Sequence, residues 1–232
     1  MKLYELAFTG YIYNSLNSFN QTFKVYFKDV AGGLDLLESE HRKSLSVWLS
    51  KWSYRQFTLE YHQAVSDIIL AWYKEGHTEK IPQDKMLWEL NDKELEEIAN
   101  IYDALATRIT SQKARGGKSV SVKVGPTGAS KILFALRPEI AAPWDEAIRI
   151  GLGYDGSGVS YLDYLRRIIT QIEDLTVSCS KNNIELLQVP PVIGRSDSTI
   201  TQLIGEYFWV TETRKCYPPT SETIQCWAKW SQ

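Results

Sequence analysis

The sequence contains no long run of apolar residues. Apolar stretches are short, as at residues 68–72, which are followed at once by a tyrosine, a lysine and a glutamate. A helix that spans a bilayer needs about 20 apolar residues in succession, and the first residues also lack the apolar segment of a secretory signal. We therefore expect a protein with no membrane partner.

Cysteine and histidine are also scarce. The three cysteines, Cys179, Cys216 and Cys226, form no C-x-x-C pair, and the three histidines form no H-E-x-x-H pattern. A structural zinc site would need more closely spaced ligands, and an odd number of widely spaced cysteines is not typical of a disulfide framework. We predict no metal, no cofactor, reduced cysteines and a cytoplasmic location.

The chain has no overall excess of positive charge, because 26 basic residues stand against 28 acidic ones and the net charge is −2. A protein surface built to hold nucleic acid is usually strongly basic. The average conceals a local imbalance, since residues 111–125 contain no acid and four bases: Lys113, Arg115, Lys118 and Lys123. Each charge near a phosphate adds affinity that is independent of base sequence. We predict that this segment contacts a polyanion; a flexible, solvated loop is the alternative.

Hydrophobic periodicity predicts a mainly α-helical globular fold with minor β content. We expect helices at about 34–50, 58–74, 91–110, 127–136, 143–152, 160–180, 197–210 and 223–230. Alternating polar and aromatic or β-branched residues predict strands near the N-terminus, at 11–13 and 23–27, and around 119–124. The whole chain, 1–232, is expected to form one unit, with two lobes, 1–110 and 119–232, joined by a basic loop at 111–118.

A glycine turn follows the basic segment. Residues 124–128, Val-Gly-Pro-Thr-Gly, should form a tight turn that opens the helix at 127–136. The start of a helix presents free backbone N–H groups and a partial positive charge, both of which suit a phosphate. The nearby Gly117-Lys118-Ser119 is not a nucleotide-binding loop, because Gln112 stands where that motif requires its first glycine.

A carboxylate lies 18 positions after Thr127. Asp145 follows Pro143 and Trp144 and begins the next predicted helix. Aspartate at this position is a good helix cap, and the same carboxylate could take part in catalysis. The residues alone leave both alternatives open.

The glycine turn and this aspartate together resemble the helix-hairpin-helix superfamily of DNA glycosylases, over about residues 124–153. The resemblance implies a flipped-out base and a catalytic Asp145 that stabilises positive charge on the sugar or activates water. It implies Trp144 as a stacking platform. It also implies that the nucleic-acid backbone is contacted by residues before and within the turn and its helix: Lys113, Arg115, Lys118, Lys123, Gly125, Thr127, Gly128 and Lys131.

Departures from the family's pattern refine this expectation. Thr127 occupies the position where members with lyase activity carry a lysine, so the resemblance implies base removal without a lyase step. Lys131 lies one helical turn later and is not expected to substitute. The family's iron–sulfur cysteines are absent, and an extended stretch replaces the helix that precedes the turn. An inactive relative that keeps the fold is an alternative.

A function of another class is also open: a non-catalytic helical protein that binds another protein through an aromatic surface. This hypothesis requires an exposed aromatic patch, although the tryptophans other than Trp144 are expected in the core. The nucleic-acid hypothesis requires the basic residues on one face, beside a cleft that contains Asp145. The sequence does not predict an oligomeric state.

Overall fold

The computed structural model describes residues 1–16, 19–30, 33–52, 62–115 and 118–230. The fold is mainly α-helical with a small two-stranded sheet, which confirms the predicted class. The helices, in chain order, are α1 (Leu3–Leu16), α2 (Phe19–Asp29), α3 (Ser39–Lys51), α4 (His62–Lys74), α5 (Asp92–Ala106), α6 (Gly125–Leu136), α7 (Glu146–Leu152), α8 (Gly158–Ser180), α9 (Val189–Val192), α10 (Ile200–Phe208) and α11 (Ser221–Trp230). The strands are β1 (Ile109–Arg115) and β2 (Lys118–Lys123).

The predicted N-terminal strands are wrong, because both aromatic segments lie within helices α1 and α2. Their buried residues recur every three or four positions, as on one face of a helix, and do not alternate. In α1 the buried residues are Leu6, Thr9, Gly10 and Tyr13. In and just after α2 they include Phe23, Tyr26 and Val30. Burial of this helical face outweighs the preference of aromatic residues for strands.

The extended stretch predicted around 119–124 is confirmed, but the predicted loop at 111–118 is largely a strand. Strands β1 and β2 pair in antiparallel register, with Lys113 opposite Val120 and Arg115 opposite Lys118. Residues 116 and 117 lie outside the described residues. We call this pair of strands the β-ribbon. At its base the Val124 backbone N–H donates to the Arg108 carbonyl over 2.8 Å.

The β-ribbon is therefore an insertion in the connection between two helices that pack against each other, α5 and α6. The start of α5 is capped by the side chain of Asn91. The Asn91 side chain accepts a hydrogen bond from the Glu94 backbone N–H, and the Glu94 carboxylate accepts one from the Asn91 backbone N–H. The helix ends at Ala106, because the chain must turn there into the β-ribbon.

The core draws on every helix from α1 to α10. One cluster of buried side chains includes residues from both predicted lobes, while the division into lobes stays a prediction. Helix α5 packs on α6 and α8, α1 packs on α10, and α2 packs on α3. In the described part, no helix is both long and apolar enough to cross a membrane.

Candidate functional site

A cavity of about 750 Å³ opens beside the glycine turn. Its walls come from distant parts of the chain: α1, the start of α2, the end of α3, α6, the loop before α7, α10 and the turn after α10. Four residues that the sequence singled out line it: Thr127, Lys131, Trp144 and Asp145. The fold thus places the start of α6 and the candidate carboxylate at one cavity.

The predicted glycine turn forms the first turn of α6, which begins at Gly125, two residues earlier than predicted. Gly125 has a φ of +70°, a left-handed conformation that glycine adopts without steric cost. Pro126 follows in the first turn of α6. Backbone N–H groups in the first turn have no partner within a helix, so the proline loses no hydrogen bond there. Within the described residues, no side chain caps this end of the helix. Thr127 of this first turn lines the cavity, so the partial positive charge of the helix start lies beside it, and phosphate binding stays a prediction.

Asp145 caps a helix and also faces the cavity. Its Oδ1 accepts a hydrogen bond from the Ile148 backbone N–H over 2.8 Å, so the carboxylate caps α7. The Thr213 hydroxyl also donates to this carboxylate, at 3.1 Å from Oδ2. The side chain is half-buried and lines the cavity. Since the cap and Thr213 fix its orientation, the carboxylate presents a positioned negative charge to whatever occupies the cavity.

Lys131 is also in this cavity, which differs from its predicted place on a phosphate-contacting surface. Its side chain is buried, and its Nζ donates to the Trp52 carbonyl over 2.7 Å and lies 5.2 Å from the centre of the Trp52 ring. Burial lowers the pKa of Lys131 to about 8, and the charge of Asp145 opposes part of that shift. A phosphate outside could not reach this amine, because the helix directs it inward.

Trp144 belongs to the core. It is 1% exposed, stacks on Tyr164 at 5.1 Å between ring centres, and contacts the edge of Tyr161 at the same distance. Its indole N–H points to the Pro126 carbonyl at 3.4 Å. A base could stack on this ring only if the surrounding aromatic side chains moved. Trp144 nevertheless lines the cavity, so its role as the stacking platform that the resemblance implies stays a prediction.

Other aromatic residues form part of the cavity wall. Phe19 and Trp209 are half-buried and line the cavity. The guanidinium of Arg214 lies 5.4 Å from the centre of the Trp209 ring, at the same wall. Sequence reasoning missed them because they lie in segments without a motif. The signal that could have drawn attention to this wall is Glu206, the one charged residue of α10.

Glu206 is fixed by a buried ion pair. Arg195 donates to both of its carboxylate oxygens at 2.7 Å, and the Gln202 amide donates to one of them at 2.9 Å. The pair has almost no solvent exposure. Breaking such a pair leaves an uncompensated buried charge, so Glu206 serves as a rigid part of the cavity wall.

The basic residues of the β-ribbon are separate from the cavity lining. Lys123 is exposed at the end of β2, and the backbone of Lys113, Arg115 and Lys118 lies toward the tip. The side chains of these three lie outside the described residues. Gly128 is buried within α6. The structure thus brings Thr127, Lys131, Trp144 and Asp145 together at the cavity, and it places the basic segment on the β-ribbon, apart from the cavity lining.

No three histidine, cysteine, aspartate or glutamate side chains of the described residues are grouped so that they could hold a metal ion. No protein family, no curated protein and no solved structure matched this chain. The resemblance to the glycosylase superfamily therefore stays a prediction that depends on the residues at 124–153.

Proposed function

We propose that the protein is a divergent glycosylase-like protein that contacts a nucleic-acid backbone and accepts a flipped-out base in the cavity. The observation that supports this proposal most directly is the position of Asp145, whose carboxylate lines the same cavity as the start of α6. A helix start that holds a phosphate beside a carboxylate that faces the attached sugar would suit both parts of one nucleotide. The β-ribbon, with its four basic residues and no acid, supplies backbone affinity.

The chemistry assigned to Asp145 is stabilisation of a positively charged sugar. When the bond between the base and C1′ breaks, the electron pair leaves with the base and positive charge develops on the sugar ring. The fixed carboxylate stabilises this charge. A water molecule then adds to C1′, its proton passes to the carboxylate or to solvent, and the base takes up a proton as it departs. The reaction needs no metal.

The expectation that no lyase step follows is open to a direct test. Thr127 is not an amine, but the Lys131 amine lines the same cavity and its pKa is lowered to about 8. If base removal occurs without a lyase step, borohydride should trap no covalent adduct between the protein and DNA. A trapped adduct that disappears in Lys131→Met would instead identify a Schiff base at this lysine.

The proposed function is tested by binding and base release together. Affinity for single- and double-stranded DNA should fall as salt rises. Asp145→Asn should abolish base release and largely keep binding, because asparagine also caps a helix well. The matched control is Asp67→Asn, an exposed aspartate on α4 outside the cavity lining. Full base release by Asp145→Asn would refute the catalytic role. If the wild type binds DNA but releases no base, the protein is an inactive relative. If the wild type binds no DNA at low salt, the nucleic-acid hypothesis is refuted.

One observation favours the second candidate function, binding to another protein. Trp227 and Trp230 in α11 are 49% and 81% exposed, which corrects the expectation that they belong to the core. None of the residues in α11 is buried. Exposed tryptophans are frequent at protein interfaces. If this surface binds a partner while DNA binding is absent, Trp230→Ser should weaken that association in sedimentation experiments and leave the melting temperature unchanged.

A further inference from the structure

The chain makes an unusual turn directly after α10. Trp209–Thr213 forms a π-helix, in which the Arg214 backbone N–H donates to the Trp209 carbonyl, five positions earlier, over 3.2 Å. Such widened turns are rare and occur frequently at functional sites. Here the turn places Arg214 one helical turn above Trp209, while the Thr213 hydroxyl donates to the Asp145 carboxylate. All four of these residues line the cavity.

Trp209 holds the Arg214 side chain at the cavity wall. The guanidinium carbon lies 5.4 Å from the centre of the indole ring, a distance at which an aromatic face attracts a cation. The ring itself is fixed, because it packs edge to face with Tyr13 at 5.1 Å and with Phe19 at 6.4 Å between ring centres. A guanidinium is planar, so stacking leaves the N–H donors along its edge accessible.

Arg214 differs from the other cations of this region in having no acceptor. Within the part of the chain that the structure describes, its guanidinium makes no hydrogen bond and no ion pair. The Lys131 amine, in contrast, donates to the Trp52 carbonyl, and Arg195 is paired with Glu206. Arg214 is therefore the cation of the cavity lining whose N–H groups are available to a ligand.

The acids near Arg214 do not neutralise it. Glu212 is paired with Lys215 at 3.3 Å. Asp145 and Glu146 also line the cavity, but in the described ranges neither carboxylate forms an ion pair with Arg214. If the buried pair at Glu206 is taken as neutral, two cations and two acids remain in the lining. The cavity as a whole is thus mixed in charge, and an anion at Arg214 is bound by direct hydrogen bonds rather than by the overall potential.

We propose that Arg214 binds a phosphate group of the nucleotide whose base enters the cavity. A guanidinium presents donors in a fixed plane that match two oxygens of one phosphate. A nucleotide within a strand carries a phosphate on each side of its sugar, so the start of α6 and Arg214 can each take one. This inference rests on the proposed function, since it takes the ligand to be a nucleotide. It adds a second phosphate contact, on the wall that also orients Asp145 through Thr213.

The test compares nucleosides with their own monophosphates. The four deoxynucleosides and their 5′- and 3′-monophosphates are titrated into the full chain by ligand-observed NMR at low salt. At least one monophosphate should bind the wild type roughly tenfold more tightly than its nucleoside, the lower end of the range for hydrogen bonds to a charged group, because Arg214 is exposed. Arg214→Gln should reduce the preference for at least one of the two monophosphates to about twofold or less. It should leave the affinity for the nucleoside unchanged.

The matched control is Arg167→Gln, which removes the same charge. Arg167 is also exposed and also lies over an aromatic ring, 5.9 Å from the centre of Phe208, but it is outside the cavity lining. The control should keep the wild-type preference for the monophosphate. An equal loss in both variants would show a general effect of charge and would overturn the assignment.

An unchanged preference in Arg214→Gln would also overturn it, as would a wild type that binds no monophosphate more tightly than its nucleoside. DNA binding and base release, measured on the same preparations, separate these failures from a failure of the proposed function. If DNA binding and base release persist, only the role of Arg214 fails. If they are absent as well, the proposed function fails with it.

Discussion

The β-ribbon can be excised at its base, because the Val124 backbone N–H already donates to the Arg108 carbonyl over 2.8 Å. Replacing residues 109–123 by Asn-Gly makes this contact the closing hydrogen bond of a four-residue β-turn, from the carbonyl of its first residue to the N–H of its fourth. Most of the described side chains in the β-ribbon are exposed. We therefore expect the variant to fold with a melting temperature close to that of the wild type.

The expected loss of nucleic-acid affinity follows from the charge removed. The excised segment carries Lys113, Arg115, Lys118 and Lys123 and no acid. If all four contact duplex phosphates, the slope of log affinity against log salt should become shallower by about 3 to 4, since each contact contributes about 0.9. When salt rises from 50 to 200 mM, the factor by which affinity falls should therefore be about 100 times larger for the wild type than for the variant.

The assay is fluorescence anisotropy with a labelled duplex over a series of salt concentrations. A control variant keeps the β-ribbon and changes the same four residues to glutamine; it should show the same shallow slope. Base release from a short single strand at low salt should persist in both variants, because the β-ribbon does not line the cavity. An unchanged slope in both variants would refute the role of the β-ribbon in backbone binding, and a change only on excision would show that shape rather than charge matters.

Three further predictions concern the cavity and its surroundings. Since burial lowers the pKa of Lys131 from 10.5 to about 8, the unfolded chain binds more protons than the folded protein between these values, and this group's contribution to stability rises with pH across that window. At pH 7, Lys131→Met should remove a burial cost on the order of 3 kcal/mol, partly offset by the lost contacts with Trp52. The free energies of unfolding of the variant and the wild type are compared in urea. As the pH is raised past 10, this comparison should shift by about the same amount in favour of the wild type. A pH-independent difference would contradict the assigned burial. Trp144→Ala should lower the free energy of unfolding by about 3–5 kcal/mol, whereas Trp209→Ala should cost less stability and mainly weaken nucleoside binding; equal stability losses would contradict the distinction between core and cavity wall. Asp145→Ala should cost about 1 kcal/mol more than Asp145→Asn in the same unfolding assay, because only asparagine keeps the cap on α7.

Much of the fold could be predicted from local signals. The helices with a clear apolar stripe and the glycine turn at Gly125 were both predicted, because each depends on residues within a few positions of one another. The N-terminal strands were predicted wrongly, since the aromatic residues there also fit a strand. Only the packing of α1 and α2 against the core, with Phe23 buried among Trp48, Trp52 and Phe134, selects the helix.

By itself, the sequence determined the helical class, the left-handed turn at Gly125 and the cap at Asp145, because backbone conformation and capping follow from neighbouring residues. The tertiary structure decided which side chains share a cavity. Thr213 reaches Asp145 across 68 positions of sequence, and Lys131 turns inward to the Trp52 carbonyl across 79. It also placed Trp144 in the core. These outcomes depend on how distant helices pack, and no local pattern of residues encodes that packing.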